Sequence, residues 1–398
     1  MRRLLFVGGT SDPGGLHIHT ADVAQAAAAL GHSVAIVSGE VDLFSNLFPR
    51  DRIPFAVDER LSWSRLRRRR LKHLAIRTVA WLSILSRYRG YDLVLCRGAF
   101  AETPAVELLM ARALGRNIYT IEHSQSLNEW PFKASKRRYG SIMNACVRRV
   151  VAVSAEIADA AIAEFGVSAG KVRICFNWPD PMFLPADTER RRQARSRLGV
   201  GADATVIGFV GRHGPEKRVE VLMEAFHRHI RPRYPGAVLV VAGDGWYRRK
   251  LERQAALCGV EADIRFVGWR ADPREIFDAL DVFVLPSLME GFPLALMEAM
   301  ASGVACLAHP MSSTRALIED GRSGVVADLS TVDLLGEALG RMLAAGRRCW
   351  WQMGDAAAST IQRAFSRETR LRAVLEALDI DPGAALPSPY GRMLEYHR

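Results

Sequence analysis

A chain of 398 residues, 49% hydrophobic and 24% charged, is long enough for two or three domains and apolar enough to bury a core in each. Its 54 Lys and Arg against 43 Asp and Glu leave a formal charge of +11, which favours anionic partners such as nucleotide sugars, acidic polymers, anionic lipid or nucleic acid. The six cysteines (Cys96, Cys146, Cys175, Cys258, Cys306, Cys349) form no C-x-x-C pair and no Cys/His cluster. That pattern argues against a disulfide framework or a zinc site, and makes reduced cytosolic thiols the expectation.

Arg2-Arg3-Leu4-Leu5-Phe6-Val7 opens like a signal peptide, but its apolar run stops at Gly8-Gly9. That is too short for a signal core and reads as a first buried strand. Short apolar runs recur at 34–37, 93–95, 118–121 and 150–153, with helical stretches between them. Such alternation predicts a parallel sheet covered on both faces. Within this half, Arg65-Leu66-Arg67-Arg68-Arg69-Arg70 opens the densest charge of the chain. Leu71, Leu74, Ala75, Leu82 and Leu85 follow at helical spacing. A basic amphipathic helix over 63–85 could lie on an anionic membrane with Trp63 and Trp81 as interfacial anchors, or pack on the core with a solvated basic face. No stretch reaches the ~18 uncharged apolar residues of a membrane span, so the chain is expected to be soluble or peripheral.

Three prolines between Asn177 and Pro185, followed by the charged run from Glu189 to Arg197, place an interdomain linker at about 178–203. A second apolar series begins near Val206 and continues at 238–241, 264–267, 282–285 and 304–307. The expected organisation is an N-terminal domain over 1–180, a second over 203–365, and a C-terminal helix and tail over 366–398. The fold class is therefore α/β, with two doubly wound, Rossmann-like parallel-sheet domains facing across a cleft. Ligands of open α/β sheets sit at the carboxyl ends of the strands.

The most informative stretch runs from Val284 to Gly303, where an apolar strand leads into Glu290-Gly291-Phe292-Pro293 and then a helix containing Glu298. Pro is favoured at a first helical position, because its missing N–H would be unpaired there. Backbone N–H groups near Gly291, Phe292 and Leu294 then sit at the positive end of a helix dipole, a ready anion site flanked by two carboxylates. A diphosphate in the middle, with hydroxyl groups held on either side, fits a sugar nucleotide. Glutamates near a helix start also occur simply because they complement the dipole.

This segment resembles the Glu-x7-Glu motif of retaining glycosyltransferases of the GT-B fold, the group-1 or family-4 class. Gly211-Arg212-His213-Gly214-Pro215-Glu216-Lys217-Arg218 is similar to that family's Gly-Arg…Glu-Lys-Gly segment, with Arg218 where the family has Gly. Val240-Val241-Ala242-Gly243-Asp244-Gly245 and Arg265-Phe266-Val267-Gly268-Trp269 also match in order and spacing. So do Pro13-Gly14-Gly15-Leu16-His17 and Leu30-Gly31-His32 near the start, and the likeness covers about residues 1 to 375.

The resemblance implies that Arg212 and Lys217 neutralise the leaving diphosphate, a stabilisation that grows as the glycosidic bond breaks. Glu290 would contact the donor sugar and Glu298 the ribose hydroxyls. Gly291, Phe292, Pro293 and Leu294 would complete the donor site. His123, in Tyr119-Thr120-Ile121-Glu122-His123-Ser124, would face the transferred sugar, with Glu122 as the competing candidate. Gly14 and Gly15 would let the first loop approach the diphosphate. His17 and His19 could line the acceptor side. Arg218 is read as a tolerated helix former. The one Asp-x-Asp, Asp379-Ile380-Asp381, beside a Pro-Gly turn, reads as solvated rather than as a metal site, so no metal and no cofactor are inferred.

The expected activity is transfer of a sugar from a nucleotide-sugar donor to a glycan or lipid-linked acceptor, in surface polysaccharide or glycolipid synthesis. The setting would be the cytoplasm, peripheral to the inner face of the membrane. Alternatives are a nucleotide-sugar epimerase or hydrolase, or a silent basic scaffold that binds lipid or glycan. Nucleic acid is not an expected partner, since the arginines lack interleaved aromatics and no recognition module is present.

Overall fold

The computed structural model describes residues 1–8, 15–39, 53–58, 61, 70–98, 105–123, 133–270, 272–384 and 386, with the side chains of 70–75 and 133–135 outside the description. It divides into two units, one of residues 1–177 with 368–398, the other of 178–367. Gly14, Trp63 and the arginines Arg65 to Arg69 lie outside the described residues.

The first unit is built on β1 (Arg3–Gly8), β2 (Ser33–Ser38), β3 (Phe55–Val57), β4 (Asp92–Arg97), β5 (Ile118–Glu122), β6 (Arg149–Ala152) and β7 (Val172–Ile174). All pair in parallel, in the order β3-β2-β1-β4-β5-β6-β7. Helices α1 (Gly15–Ala29), α2 (Arg70–Arg87), α3 (Ala105–Ala113), α4 (Lys133–Cys146) and α5 (Ala155–Ala163) make the crossovers. The central strands are buried on both faces, as Leu4, Leu5, Phe6 and Val94 illustrate, and so read as unbroken apolar runs.

The second unit opens with α6 (Thr188–Arg197) and then carries β8 (Thr205–Val210), α7 (Val219–Ala225), β9 (Ala237–Ala242), α8 (Arg248–Leu257), β10 (Ile264–Gly268), α9 (Arg274–Ala279) and β11 (Val282–Leu285). It continues through α10 (Leu294–Ala301), β12 (Ala305–Ala308), α11 (Ser312–Leu317), β13 (Val325–Val326), α12 (Val332–Ala344) and α13 (Gly346–Ala364). The strand order is β10-β9-β8-β11-β12-β13, again parallel. Its core joins Ile207, Phe209, Leu239, Val241 and Val284 to Leu222, Phe226, Leu335 and Leu339.

The stretch expected as a linker is partly ordered into α6, and its charge has partners. Asp187 caps the helix by accepting from the Arg190 N–H at 2.8 Å. Arg191 and Arg195, one turn apart, both grip the buried Asp281 at the start of β11, at 2.5 and 2.8 Å. Arg190 meets both oxygens of Asp278 at 2.9 Å. The arginines of this charged run therefore act as a clamp within the second unit.

The chain returns to the first unit in α14 (Arg367–Ala377). Arg2 donates to the Leu378 and Asp379 carbonyls at 2.6 and 2.9 Å. The Asp379 carboxylate accepts from Tyr119 at 2.9 Å and from Arg148 and Arg149 at 2.5 and 3.2 Å. Asp379, read from sequence as solvated, is thus a structural ion-pair centre.

Helix α2 departs from its expected orientation. Trp81 is 2% exposed and cannot anchor at an interface, while Leu82, placed on one apolar stripe with Leu85, is 52% exposed and Leu85 is buried. The reason is Arg77: its guanidinium turns inward to Glu107 on α3 at 2.7 Å, and both side chains are buried. That pairing rotates Trp81, Ile84 and Leu85 onto the core. Among the described residues no helix is long and apolar enough to cross a membrane.

Candidate donor and acceptor-side sites

In the second unit β8 comes first in sequence, β9 and β10 extend the sheet on one side, and β11 begins the other. The order reverses between β8 and β11, and such a reversal opens a crevice at the carboxyl ends of the two strands. The two sequence motifs fall there. Arg212 and Lys217 follow β8, and Glu290 follows β11. The Lys217 Nζ lies 2.5 Å from Glu290 Oε1, with both side chains largely buried. Arg212 is more exposed and pairs with Glu216 at 2.8 Å.

Glycine explains why these loops can converge. Gly243 has φ +115°, and a Cβ there would stand 1.9 Å from the Gly211 carbonyl oxygen. Gly245 has φ +155°, and its Cβ would stand 2.4 Å from the His213 carbonyl oxygen. In their absence the loop backbones bond directly: Gly211 N–H to Ala242 at 3.1 Å, His213 N–H to Asp244 at 2.8 Å, and Gly243 N–H to Gly268 at 2.8 Å. The three short motifs after β8, β9 and β10 therefore form one backbone-knit platform beneath Arg212 and Lys217 in sequence and in space. His213 within it is fully buried, and desolvation lowers its pKa.

Arg218 is not a helix residue. It adopts φ 55°, ψ 34° between the turn Pro215–Lys217 and α7. A left-handed conformation costs a non-glycine residue roughly 1 kcal/mol or more. Its guanidinium offsets this by donating to the Leu329 and Ser330 carbonyls at 3.0 and 2.7 Å. The glycine expected by resemblance is replaced by a side chain that ties the loop to the segment after β13.

Pro293 stands just outside α10, with φ −78° and ψ 100°, and its carbonyl accepts the first helical bond from Met297 at 3.2 Å. Gly291 and Phe292 precede it and Leu294 opens the helix, with Phe292 buried. Glu298 lies one turn in and is buried. The structure thus brings Lys217 and Glu290 together and sets both glutamates around one helix start.

In the first unit the order reverses between β1 and β4. Gly15 opens α1 there, and His17 and His19 on the same helix are buried. His123 directly follows β5, its ring edge-on to His19 with centroids 6.0 Å apart. Desolvation, then the imidazoles of His19 and His17, lower its pKa well below the ordinary histidine value. That environment favours the neutral imidazole of His123. Glu122, the competing candidate, is fully buried and committed to Arg97, whose Nε lies 2.9 Å from Oε1. Arg97 also donates to Tyr139 at 2.8 Å, and its carbonyl accepts the His123 N–H at 3.0 Å. Burial raises the Glu122 pKa and the Arg97 charge opposes that. Sequence reading missed Arg97 and Tyr139, which lie 25 residues before and 17 after Glu122 and carry no motif.

Two all-parallel α/β units, each with its own strand-order reversal, define the doubly wound α/β class of protein. The family described as Glycosyltransferase Family 4 matches residues 13–182, and that described as Glycosyl transferases group 1 matches 204–345. The chain belongs to these glycosyltransferases.

The Escherichia coli UDP-Gal:alpha-D-GlcNAc-diphosphoundecaprenol alpha-1,3-galactosyltransferase is 30% identical over 200 residues, 50% of this chain and 51% of that one. A Mycolicibacterium smegmatis GDP-mannose-dependent alpha-(1-6)-phosphatidylinositol monomannoside mannosyltransferase is 29% identical over 63% of this chain and 67% of its own. The first matched curated relatives are spanned over about half their length. Anabaena HepE, solved with UDP-glucose, superposes with a TM-score of 0.79 at 19% identity over 95% of this chain and 100% of its own. The fold is that of the GT-B glycosyltransferases, as WaaG also shows at a TM-score of 0.73 and 17% identity over 96% of this chain and 100% of that one.

Proposed function

We propose that this chain transfers a sugar, with retention of configuration, from a nucleoside-diphosphate sugar to a glycan or lipid-linked acceptor in surface polysaccharide or glycolipid synthesis, at the cytoplasmic face of a membrane. The observation that carries it is the Lys217–Glu290 contact at the sheet reversal, beside the start of α10. An ammonium has three donors, and Glu290 takes one. The others suit diphosphate oxygens, with Arg212 adding a second cation and the N–H groups of Gly291 to Leu294 a dipole.

Glu290 then holds donor-sugar hydroxyls and Glu298 the ribose, while Gly14 and Gly15 are assigned to the first loop's approach to the diphosphate. His123 is the first-unit residue proposed to meet the transferred sugar, as a neutral imidazole. In the step itself the acceptor oxygen bonds to the anomeric carbon as the bond from that carbon to the diphosphate oxygen breaks. The acceptor proton passes to the departing phosphate. The reading calls for no resident cofactor or metal, because Lys217 and Arg212 meet the developing charge.

Names of relatives support the donor and acceptor classes: one uses UDP-Gal with a diphosphoundecaprenol acceptor, another GDP-mannose with a phosphatidylinositol mannoside. The test is nucleoside-diphosphate release from a panel of UDP-, GDP- and ADP-sugars, with and without membrane lipid extract. Extract-dependent release from one donor, reduced about 100-fold or more in Lys217→Ala and Glu298→Ala, is the expected result. Donor turnover without acceptor would show an epimerase or hydrolase instead. Absence of any nucleotide-sugar binding would sink the catalytic reading.

A further inference from the structure

Lys217 and Glu290 are carried by separate loops, one after β8 and one after β11, yet their side chains meet. A turn as short as Pro215–Lys217 fixes little by itself. Its Lys217 N–H bonds back to Gly214 at 3.1 Å, and the Arg218 N–H bonds back to Pro215 at 3.2 Å. The reach comes from the Arg218 side chain. In the sheet order β8-β11-β12-β13 its guanidinium runs from the β8 side to the segment after β13, where it holds the Leu329 and Ser330 carbonyls.

The far end of that contact is itself fastened back to β11. The Leu329 N–H donates to Nδ1 of His309 at 3.2 Å, and His309 directly follows β12. The His309 N–H donates to the carbonyl of Leu285, the last residue of β11, at 3.3 Å. Thr314 on α11 steadies the His309 carbonyl at 2.7 Å, and Asp328 accepts the Ser330 N–H at 2.8 Å. A continuous path of hydrogen bonds thus runs through Arg218, Leu329, His309 and Leu285. It joins the loop that carries Lys217 to the strand that leads into Glu290. A left-handed arginine costs free energy that a glycine would not, and strain of that kind persists where the surroundings hold it.

We infer that Arg218 is a positioning residue that, through Leu329 and His309, sets Lys217 against Glu290 and so places the ammonium that meets the donor diphosphate. The inference rests on the donor role proposed for Lys217; Arg218 itself touches no substrate. His309 makes the path sensitive to pH. Its Nδ1 accepts a hydrogen bond, so the neutral ring keeps its proton on Nε2, and a second proton removes the acceptor. Burial favours the neutral ring; Asp328, whose Oδ1 lies 3.6 Å from Nδ1, favours the charged one, and Arg218 the neutral one.

The experiment is calorimetric titration of the full chain with UDP, GDP and ADP, each variant being checked for folding by its thermal transition. Arg218→Ala and Arg218→Gly are each expected to weaken the nucleotide that wild type binds by about tenfold, although glycine relieves the backbone. In a Lys217→Ala chain the same Arg218→Ala change should cost less than about twofold, because no ammonium is left to place. His309→Asn, whose Oδ1 accepts the Leu329 N–H without titrating, should lose less affinity than wild type as the pH is lowered from about 7.5 to about 5.5. If the alanine variant does not fold, the unstrained glycine variant carries both comparisons. Wild-type affinity in Arg218→Gly overturns the inference. So does an equal loss with and without Lys217, which would mark a merely structural tie, and parallel pH profiles would remove His309 from the path. Failure of wild type to bind any of the three nucleotides would instead overturn the donor reading itself, and the inference with it.

Discussion

The sheet reversals of the two units carry polar groups by different means. In the second unit, backbone contacts between Gly243 and Gly211 and between Gly245 and His213 set the loops, and the charged side chains are carried on that frame. In the first unit a buried ion pair, Arg97–Glu122, bridges the ends of β4 and β5 and holds the chain at His123. Main-chain contact tolerates few residue types at a fixed spacing. A side-chain network can be assembled from positions far apart in sequence.

The contrast is sharpened most by Glu122→Gln, which leaves the Arg97 charge buried without its counter-ion. We expect a loss of about 3–5 kcal/mol from the first unit, read from urea unfolding, with little change in nucleotide affinity of the second. Replacing the pair together, as R97M/E122L, should recover much of that loss. A single Glu122→Gln variant as stable as wild type would show the pair to be incidental.

Gly243→Ala addresses the other mode. The added Cβ meets the Gly211 carbonyl at a φ of +115°, so the loop must shift. The expected cost is about 2–3 kcal/mol, confined to the second unit, accompanied by weaker nucleotide binding. Unaltered binding would mean that the platform does not position Arg212 and Lys217.

A smaller effect tests Arg218. Arg218→Ala keeps the left-handed backbone and loses both carbonyl contacts, for about 1–3 kcal/mol by thermal unfolding. Arg218→Gly loses the same contacts but relieves the backbone, and should be about 1 kcal/mol more stable than the alanine variant. Equal stabilities would contradict the strain at φ 55°.

The mildest test near neutrality is pH. His123 and His32 in the first unit and His213 and His309 in the second all have lowered pKa values, with desolvation the leading cause in each. The folded state then binds fewer protons than the unfolded one at the unfolded histidine value of about 6.5. Stability should be level above that pH and fall as pH drops below it, in both units. His123→Gln should flatten the fall in the first unit, as followed by unfolding between pH 7 and pH 5.

The same contrast accounts for what could be read from sequence. The inner strands were legible because burial on both faces demands apolar runs, and 282–285 matches Val282–Leu285 residue for residue. Three edge strands were not: Phe55–Val57, Val172–Ile174 and Val325–Val326 are two or three residues long and half exposed, so no periodicity marks them. Glu290 and Lys217 were each marked by a motif, but their contact with one another was not, and neither was the partner of Glu122, because nothing local ties Arg97 to it. Trp81 was misplaced for a similar reason. An inward arginine, Arg77, rotated the helix, and its acid lies 30 residues away.

The return of the chain through α14 has a consequence for synthesis. Residues 178–367 are complete as a unit before residues 368–380 exist on the ribosome. Yet Arg2, Tyr119, Arg148 and Arg149 all wait for the Leu378–Asp379 segment. The unit whose strands are translated first is therefore the last to close. Until then, the basic half of the molecule stands unfinished beside a neighbour whose chain is already complete, and a stop codon near 367 would spare the later-coded unit while leaving the earlier-coded one open.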